Sequence, residues 1–289
     1  MNQALIGYLF QTNAIRVCPK NKPFWYTSGK IGPYYVNTHF LFGSEEKANA
    51  FLEEIDRLKD DKLGCSQAFL DYARANYEKD PVFKGTIDAL VSYIRTTLNP
   101  DGIDYISGGE RRDWFFSLLI AEILNKPHIT LFKDLSAVVF EKGQSQRAED
   151  LHGAKVLHVA DLITTASSYE RAWVPAIRQL NGVMVWSLVV VDRLQGGAEI
   201  LKRLKVESHA LVAIDREVFQ KACQQGYIDS EQLKLVLDYM EDSEGSMAAF
   251  LKAHPEFLRE ALESGGKTAE RAKLLLDSNF YQARSLLNL

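Results

Sequence analysis

Val156–Ser168, VLHVADLITTASS, is the stretch whose reading decides the fold. An apolar run enters the acid Asp161 and passes into a hydroxyl-rich turn. YERAWVPAIRQL, residues 169–180, then takes up a helical pattern. That order predicts a buried strand, a tight loop and a helix start. A loop that opens a helix offers unpaired backbone N–H groups and the positive end of the helix dipole, and both favour phosphate. Thr164, Thr165, Ser167 and Ser168 add hydroxyl donors, and Asp161 points a carboxylate at whatever carries the phosphate. An acid beside a phosphate cradle suits a sugar phosphate. A plain strand-to-helix turn with good caps would use the same residues, so the loop alone leaves both readings open.

Outward from this stretch the chain alternates. Strands are expected at 104–107, 128–132, 155–160, 183–191 and 208–214, with helices at 111–125 and 168–180. A polar stretch lies at 134–150. VMVWSLVVV at 183–191 is nearly continuous in apolar residues, as a strand buried on both faces requires. Alternating strands and helices predict an α/β fold: a mainly parallel sheet of about five strands flanked by helices. Ligands of such sheets sit at the carboxyl ends of the strands. The polar loops Gly108–Asp113, Lys133–Glu141, Asp161–Ser168 and Asp192–Gly197 all follow strands.

Before the sheet, residues 2–14 read as an amphipathic helix. FWYTSGKIGPYYVN, residues 24–37, reads as two short strands around a tight turn. Residues 44–98 carry helical periodicity broken near Gly64 and Asp80-Pro81. From Asp215 to the end the pattern is helical. The expected organisation is an α/β domain over 1–214, with an N-terminal hood at about 1–43, a helical insertion at about 44–98, and a helical C-terminal extension over 215–289. The extension's apolar stripes, such as Leu233, Val236, Leu237 and Met240, need a partner surface. That partner is this chain or the second subunit of a homodimer, and packing within the chain is favoured.

The 289 residues are 46% hydrophobic and 25% charged, with net charge −4, the balance of a globular protein without a basic nucleic-acid face. Cys18, Cys65 and Cys223 show neither metal spacing nor a paired framework, which points to a reducing, cytoplasmic setting. No apolar run reaches the length of a membrane span and no signal peptide is evident. The six histidines show no metal-ligand spacing.

Four segments in order resemble the type I phosphoribosyltransferases, and among them the orotate phosphoribosyltransferase family. These are FWYTSGKIGPYYVN, ISGGERRDWFFSLLIAE (106–122), the 156–168 stretch and VVVDRLQGG (189–197). Gly108 and Gly109 would allow a positive-φ turn beside a diphosphate. Arg111 or Arg112 would clamp it with a planar fork of donors. Two like charges at a helix start oppose the dipole, so a bound anion makes better sense of them than solvent does. The resemblance implies phosphoribosyl pyrophosphate as donor, with Mg²⁺ arriving on its diphosphate and Asp161 reaching the ribose. Lys133, Lys142 and Asp161 are the candidate catalytic residues, the two lysines as cationic groups of a flap that stabilises the leaving charge. Lys30, Tyr34, Tyr35 and Arg193 are candidates for the acceptor. A structural ion pair for Arg193, core packing for the tyrosines and simple exposure for Lys30 are the competing readings.

The chain departs from the family pattern at functional places. Ala160 stands at the first of two acidic positions, Ala166 at a usual glycine and Thr27 at a usual lysine. Ser136, Ala137 and Val138 occupy the basic and imidazole places of a mobile flap. Two functions follow as expectations. One is transfer of phosphoribosyl to orotate or a related small acceptor. The other is a non-catalytic homologue that binds phosphoribosyl pyrophosphate or a nucleotide as a regulator.

Overall fold

The computed structural model describes residues 3–286. The outermost residues of the expected 2–14 helix and of the 215–289 extension lie outside that range. In chain order come α1 (Gln3–Gln11), β1 (Ile15–Val17), β2 (Phe24–Trp25), β3 (Ile31–Gly32) and β4 (Tyr34–Val36). The helices α2 (Glu45–Leu58), α3 (Cys65–Tyr77) and α4 (Pro81–Tyr93) follow. Next are β5 (Tyr105–Gly109), α5 (Trp114–Ile123), β6 (His128–Leu131), β7 (Ala137–Glu141), β8 (Gln144–Arg147) and β9 (Lys155–Ile163). Then come α6 (Val174–Gln179), β10 (Val183–Asp192), α7 (Gly197–Arg203) and β11 (Glu207–Ala213). The chain ends in helices α8 (Arg216–Gln224), α9 (Ser230–Glu241), α10 (Ser243–Ala253), α11 (Pro255–Glu263), α12 (Gly266–Asp277) and α13 (Ala283–Leu286). No described helix is long and apolar enough to cross a membrane.

The described chain divides into two compact units. One holds the residues through Ala14 together with Thr38–Asp215; the other holds Ile15–Asn37 and the residues from Arg216 on. Of the residues read as a hood, only Ile15–Asn37 form a compact unit with the C-terminal helices; the rest belong to the first unit.

The first unit is built on a seven-stranded sheet in the order β11-β10-β9-β5-β6-β7-β8. The first five are parallel, as expected, while β7 and β8 add an antiparallel edge. This hairpin occupies the stretch read as polar at 134–150; Val138, Val139 and Phe140, whose apolar character suits a strand or a packed surface better than a mobile flap, lie in β7. Ala137, Val138, Val139 and Phe140 are buried, which gives β7 a reason to pair. Its two-residue loop, Lys142-Gly143, has φ of 49° and 79°. Two left-handed residues are what a type I′ hairpin needs. Strand β10 lies between β9 and β11, with Val191 opposite Leu162 and Val212, and is fully buried from Leu188 to Val191. That position explains its unbroken apolar sequence.

Helices α2, α3 and α4 pack against α5 through rings. Phe51 and Phe42 meet Phe115 at centroid distances of 4.5 and 5.2 Å, and Phe69 stacks on Trp114 at 5.4 Å. Such pairs add directional preference to burial and so fix the pose of α5. Trp114 Nε1 also donates to the Gly108 carbonyl at 3.0 Å, tying the start of α5 back to β5.

In the second unit β1 pairs with β4 and β2 with β3, both antiparallel. Ile31 joins Met247, Leu251, Leu258 and Leu275 in one apolar cluster. Trp25 stacks on Phe257 at 5.3 Å. Val236 from the expected stripe is buried here, as are Ala272 and Leu275 of α12, so the tail finds partners within its own chain.

The Tyr281 hydroxyl donates to the Ile31 carbonyl and accepts the Ile31 N–H, both at 3.2 Å. Tyr281→Phe removes both bonds from a buried site, at a cost of about 1–3 kcal/mol for the groups left unsatisfied. Hydrogen exchange should show the Ile31 amide opening faster in the variant. Unchanged protection would mean that the Tyr281 hydroxyl does not hold this strand.

Candidate functional site

Strands β5 and β9 pair in parallel as far as Ser107 opposite His158 and then diverge. The loop after β5 and the loop after β9 therefore open side by side at the carboxyl edge of the sheet, where such folds bind ligands. Between them lies a cavity of about 300 Å³. Arg111, Arg112, Asp161, Thr164, Thr165, Ser167 and Ser168 line it, with Ala160, Lys133, Glu110 and Asp113. The residues expected to hold a phosphorylated sugar thus converge. The Glu110–Arg111 peptide is cis.

Two glycines are needed here for another reason than the one expected. Neither Gly108 nor Gly109 has a positive φ. A Cβ on Gly108 would come within 2.1 Å of Ser117 Oγ, and one on Gly109 within 2.3 Å of the Trp173 ring. Close packing on α5 and on the turn before α6 demands them. The left-handed residue of the site is Ala166, with φ 54°. The loop therefore keeps the backbone of a glycine position while carrying a methyl, at a strain of about 1 kcal/mol. None of the amides from Thr164 to Ser168 has a backbone acceptor among the described residues. They are free to donate to an anion.

Asp113 organises the site from beneath. One of its oxygens accepts the Gly109 N–H at 2.9 Å and lies 3.3 Å from His158 Nε2. The other accepts the Asp161 N–H at 3.3 Å. His158 Nδ1 is 2.9 Å from Ser107 Oγ. Asp161 is buried, and its Oδ2 has no hydrogen-bond partner among the described residues. Burial pushes the Asp161 carboxyl up to about 7, the neighbouring Asp113 charge adds to the rise, and Arg112 opposes it. His39 is buried, and its imidazole is pushed down to about 3 by burial and then by Arg112 and Arg111. It is neutral, with Nδ1 unpartnered among the described residues. Arg112 is exposed and has no ion pair among the described residues. It is the guanidinium available to an incoming anion.

The other candidates are not among the residues lining this cavity. Lys142 sits in the β7–β8 turn, lines a separate cavity of about 340 Å³ and pairs with Glu141 at 3.4 Å. Lys30, Tyr34 and Tyr35 belong to the second unit. There Lys30 pairs with Glu244 and lies over the Phe280 ring, Tyr34 packs on Phe219 and Tyr239, and Tyr35 meets Phe24 and Tyr26 edge-on. Arg193 follows β10; its backbone N–H bonds the Ile163 carbonyl at 3.0 Å, and its buried Nε lacks a partner among the described residues. The Asp192 carboxylate accepts the Leu194 N–H at 2.7 Å instead of pairing with Arg193. Sequence reasoning missed Asp113 and Glu110. Both precede α5, with Asp113 at its N-cap position, and an acid just before a helix is so common that neither stood out.

The expected flap is a tight turn. The Phe132 N–H bonds the Ser136 carbonyl at 2.9 Å and the Leu135 N–H bonds the Phe132 carbonyl at 3.0 Å, with Leu135 at φ 69°. Lys62, between α2 and α3, pairs with Asp134, donates to Ser136 Oγ at 2.8 Å and lies over the Phe132 ring. Lys133 lines the cavity from this turn. No cluster of three metal-ligating side chains occurs among the described residues.

No protein-family model matches the chain. Over 91 residues, 32% of the chain, it is 31% identical to orotate phosphoribosyltransferase of Saccharolobus solfataricus, covering 46% of that protein. It is 30% identical over 91 residues to orotate phosphoribosyltransferase of Sulfolobus acidocaldarius, covering 45%. The chain thus spans less than half the length of the curated relatives it matches. Among solved structures, UMP synthase of Leishmania donovani aligns with TM-score 0.57 at 17% identity, over 83% of this chain and 42% of that one. Orotate phosphoribosyltransferase of Francisella tularensis aligns with TM-score 0.54 at 13% identity, over 82% of this chain and 98% of that one. The fold is that of the type I phosphoribosyltransferases: a largely parallel sheet flanked by helices, with added helices.

The raised Asp161 carboxyl makes a signed prediction. The native state holds this proton more tightly than the unfolded chain, so the contribution is full below about pH 4 and is lost as pH rises to about 7. Asp161→Asn removes the titration. At pH 8 the variant should be more stable than the unaltered chain by on the order of 1–3 kcal/mol. At pH 4 the difference should shrink toward zero. Parallel thermal melts across this range would refute the assignment if the two curves kept a constant separation.

Proposed function

We propose that the cavity binds the ribose 5-phosphate portion of phosphoribosyl pyrophosphate, and that the protein transfers the phosphoribosyl group to a small acceptor such as orotate. The observation that carries this is the convergence of the free amides and hydroxyls of 164–168, the unpartnered Asp161 Oδ2 and the unpaired Arg112 on one cavity. The amides and hydroxyls suit the 5-phosphate. The Asp161 carboxylate suits the ribose hydroxyls. Arg112 suits the diphosphate, because a guanidinium offers a planar set of charged donors.

In such a transfer the bond from ribose C1 to the diphosphate oxygen breaks, and the diphosphate leaves with the electron pair. A nitrogen of the acceptor forms the new bond to C1 and gives up its proton to water or to the departing diphosphate. The protein's part is to stabilise charge on the departing diphosphate with groups already in place. Arg112 does this from the rim, and Arg193 is the candidate for an acceptor carboxylate. One free carboxylate oxygen fits a Mg²⁺ carried chiefly by the ligand's own phosphates and by water, not one caged by protein.

One observation favours a second reading, binding without transfer. The turn at 132–136 is pinned by Lys62 where a mobile flap would deliver basic groups.

Calorimetry with phosphoribosyl pyrophosphate and Mg²⁺ should register binding, and Arg112→Met should weaken it about tenfold, or 1.4 kcal/mol. An assay for diphosphate release with orotate then separates the readings. Release supports transfer, and binding without release supports the regulator. Absence of binding to the unaltered chain would end both.

A further inference from the structure

The last turn of α2 meets the loop after β5 in a row of charges. Asp56 pairs with Arg111 and lies 2.8 Å from Lys59 Nζ. Lys59 is 3.5 Å from the Glu110 carboxylate. Glu110 also accepts the Lys133 N–H at 3.2 Å and lies 4.0 Å from the Lys133 ammonium. The row Arg111, Asp56, Lys59, Glu110, Lys133 therefore alternates in sign; Arg111, Glu110 and Lys133 line the cavity, and Asp56 and Lys59 pair with them from α2 and its end. Three cationic side chains line that cavity, and two of them are matched by acids. The opposite wall, 164–168, offers neutral donors with no counter-charge of their own.

This asymmetry divides the ligands. A single phosphate can be met by the amides and hydroxyls of 164–168 without disturbing any ion pair. A diphosphate on ribose C1 needs more charge than Arg112 alone supplies, and the nearest further guanidinium is Arg111. We propose that Asp56 is a specificity-determining residue: by holding Arg111 it lets the cavity take a ribose 5-phosphate or 5′-mononucleotide freely, while a ribose 1-diphosphate must first displace it. Glu110 reinforces the selection by holding Lys133. The exchange is feasible, because a half-exposed ion pair is worth little. It still has a cost, because the displaced carboxylate loses its guanidinium partner while an anion binds nearby. The inference deepens the phosphoribosyl reading and rests on it for the nature of the sugar phosphate.

The test uses the full chain and the variant Asp56→Asn, with circular dichroism to confirm the fold. Inorganic pyrophosphate and ribose 5-phosphate are titrated by calorimetry with Mg²⁺ at low salt. Asp56→Asn should bind pyrophosphate about fivefold tighter, the scale of one rim ion pair, with ribose 5-phosphate changed less than twofold. The gain should vanish when Arg111→Met is added. Equal pyrophosphate affinity in both chains overturns the proposal. So does equal tightening of both ligands, which would be a general charge effect, or a gain that survives Arg111→Met. Failure of ribose 5-phosphate to bind the unaltered chain overturns the phosphoribosyl reading and the ligand class with it; the pyrophosphate titration then decides the hold of Asp56 on Arg111 by itself.

Discussion

The site depends on where the Asp113 carboxylate is placed. Strands β5 and β9 must part to make room for a ligand, and parting leaves backbone groups without ladder partners. One carboxylate takes up both losses by accepting the Gly109 N–H and the Asp161 N–H. His158 lies beside it, itself held by Ser107. Burial is the main reason the Asp161 proton is held so firmly, and the arrangement adds to it by placing a second acid next to Asp161. Stability is given up at that point for an open cavity edge, as is common at functional sites. Arg112, a counter-charge acting on Asp161, is also the group offered to a ligand, so an anion that engages Arg112 should change how readily Asp161 gives up its proton.

Charges at the rim are set from further away. The aromatic layer that packs α2–α4 on α5 looks purely structural, yet α5 begins at Trp114, immediately after Arg111, Arg112 and Asp113. Any shift of α5 would move all three. The same helical insertion supplies Asp56 and Lys59 to one loop and Lys62 to the turn at 132–136. Its composition reads as an ordinary amphipathic stretch, because ion pairs between residues 55 or 72 positions apart leave no local signature.

What could be read from sequence was what periodicity and local chemistry carry. The unbroken apolar run of β10 and the strand–acid–hydroxyl–helix order around Asp161 each reflect a local physical demand, and the parallel sheet and the cavity loop follow from them. The apolar Val138–Phe140 already read as strand-like, but the pairing was hidden because β8, QSQR, is polar and lies at the sheet edge, while the Lys142-Gly143 turn is a weaker signal than Asn-Gly. Gly108 and Gly109 were noticed for the wrong reason. Their need comes from Ser117 and Trp173, which only the tertiary arrangement brings near. The unit formed by residues 15–37 with the last helices was out of reach for the same cause: Lys30 meets Glu244 and Ile31 meets Tyr281 across more than 200 residues of chain.

The turn at 132–136 bears on how such a site can work. A mobile flap brings charge to a departing group only when needed and leaves the resting cavity open. Here Lys62 bonds or pairs with both Asp134 and Ser136, and the turn closes on its own backbone. Whatever charge the cavity uses must already be in position, which is the demanding form of electrostatic stabilisation: fixed donors lower the reorganisation cost but repel one another at rest. Arg111 and Arg112 are adjacent in sequence and both reach the same cavity. Asp56 and Glu110 relieve that resting repulsion by neutralising the basic groups not yet in use. A chain that gives up a moving flap therefore gains a reason to keep acids around its anion site, and the helical insertion is the element that supplies Asp56.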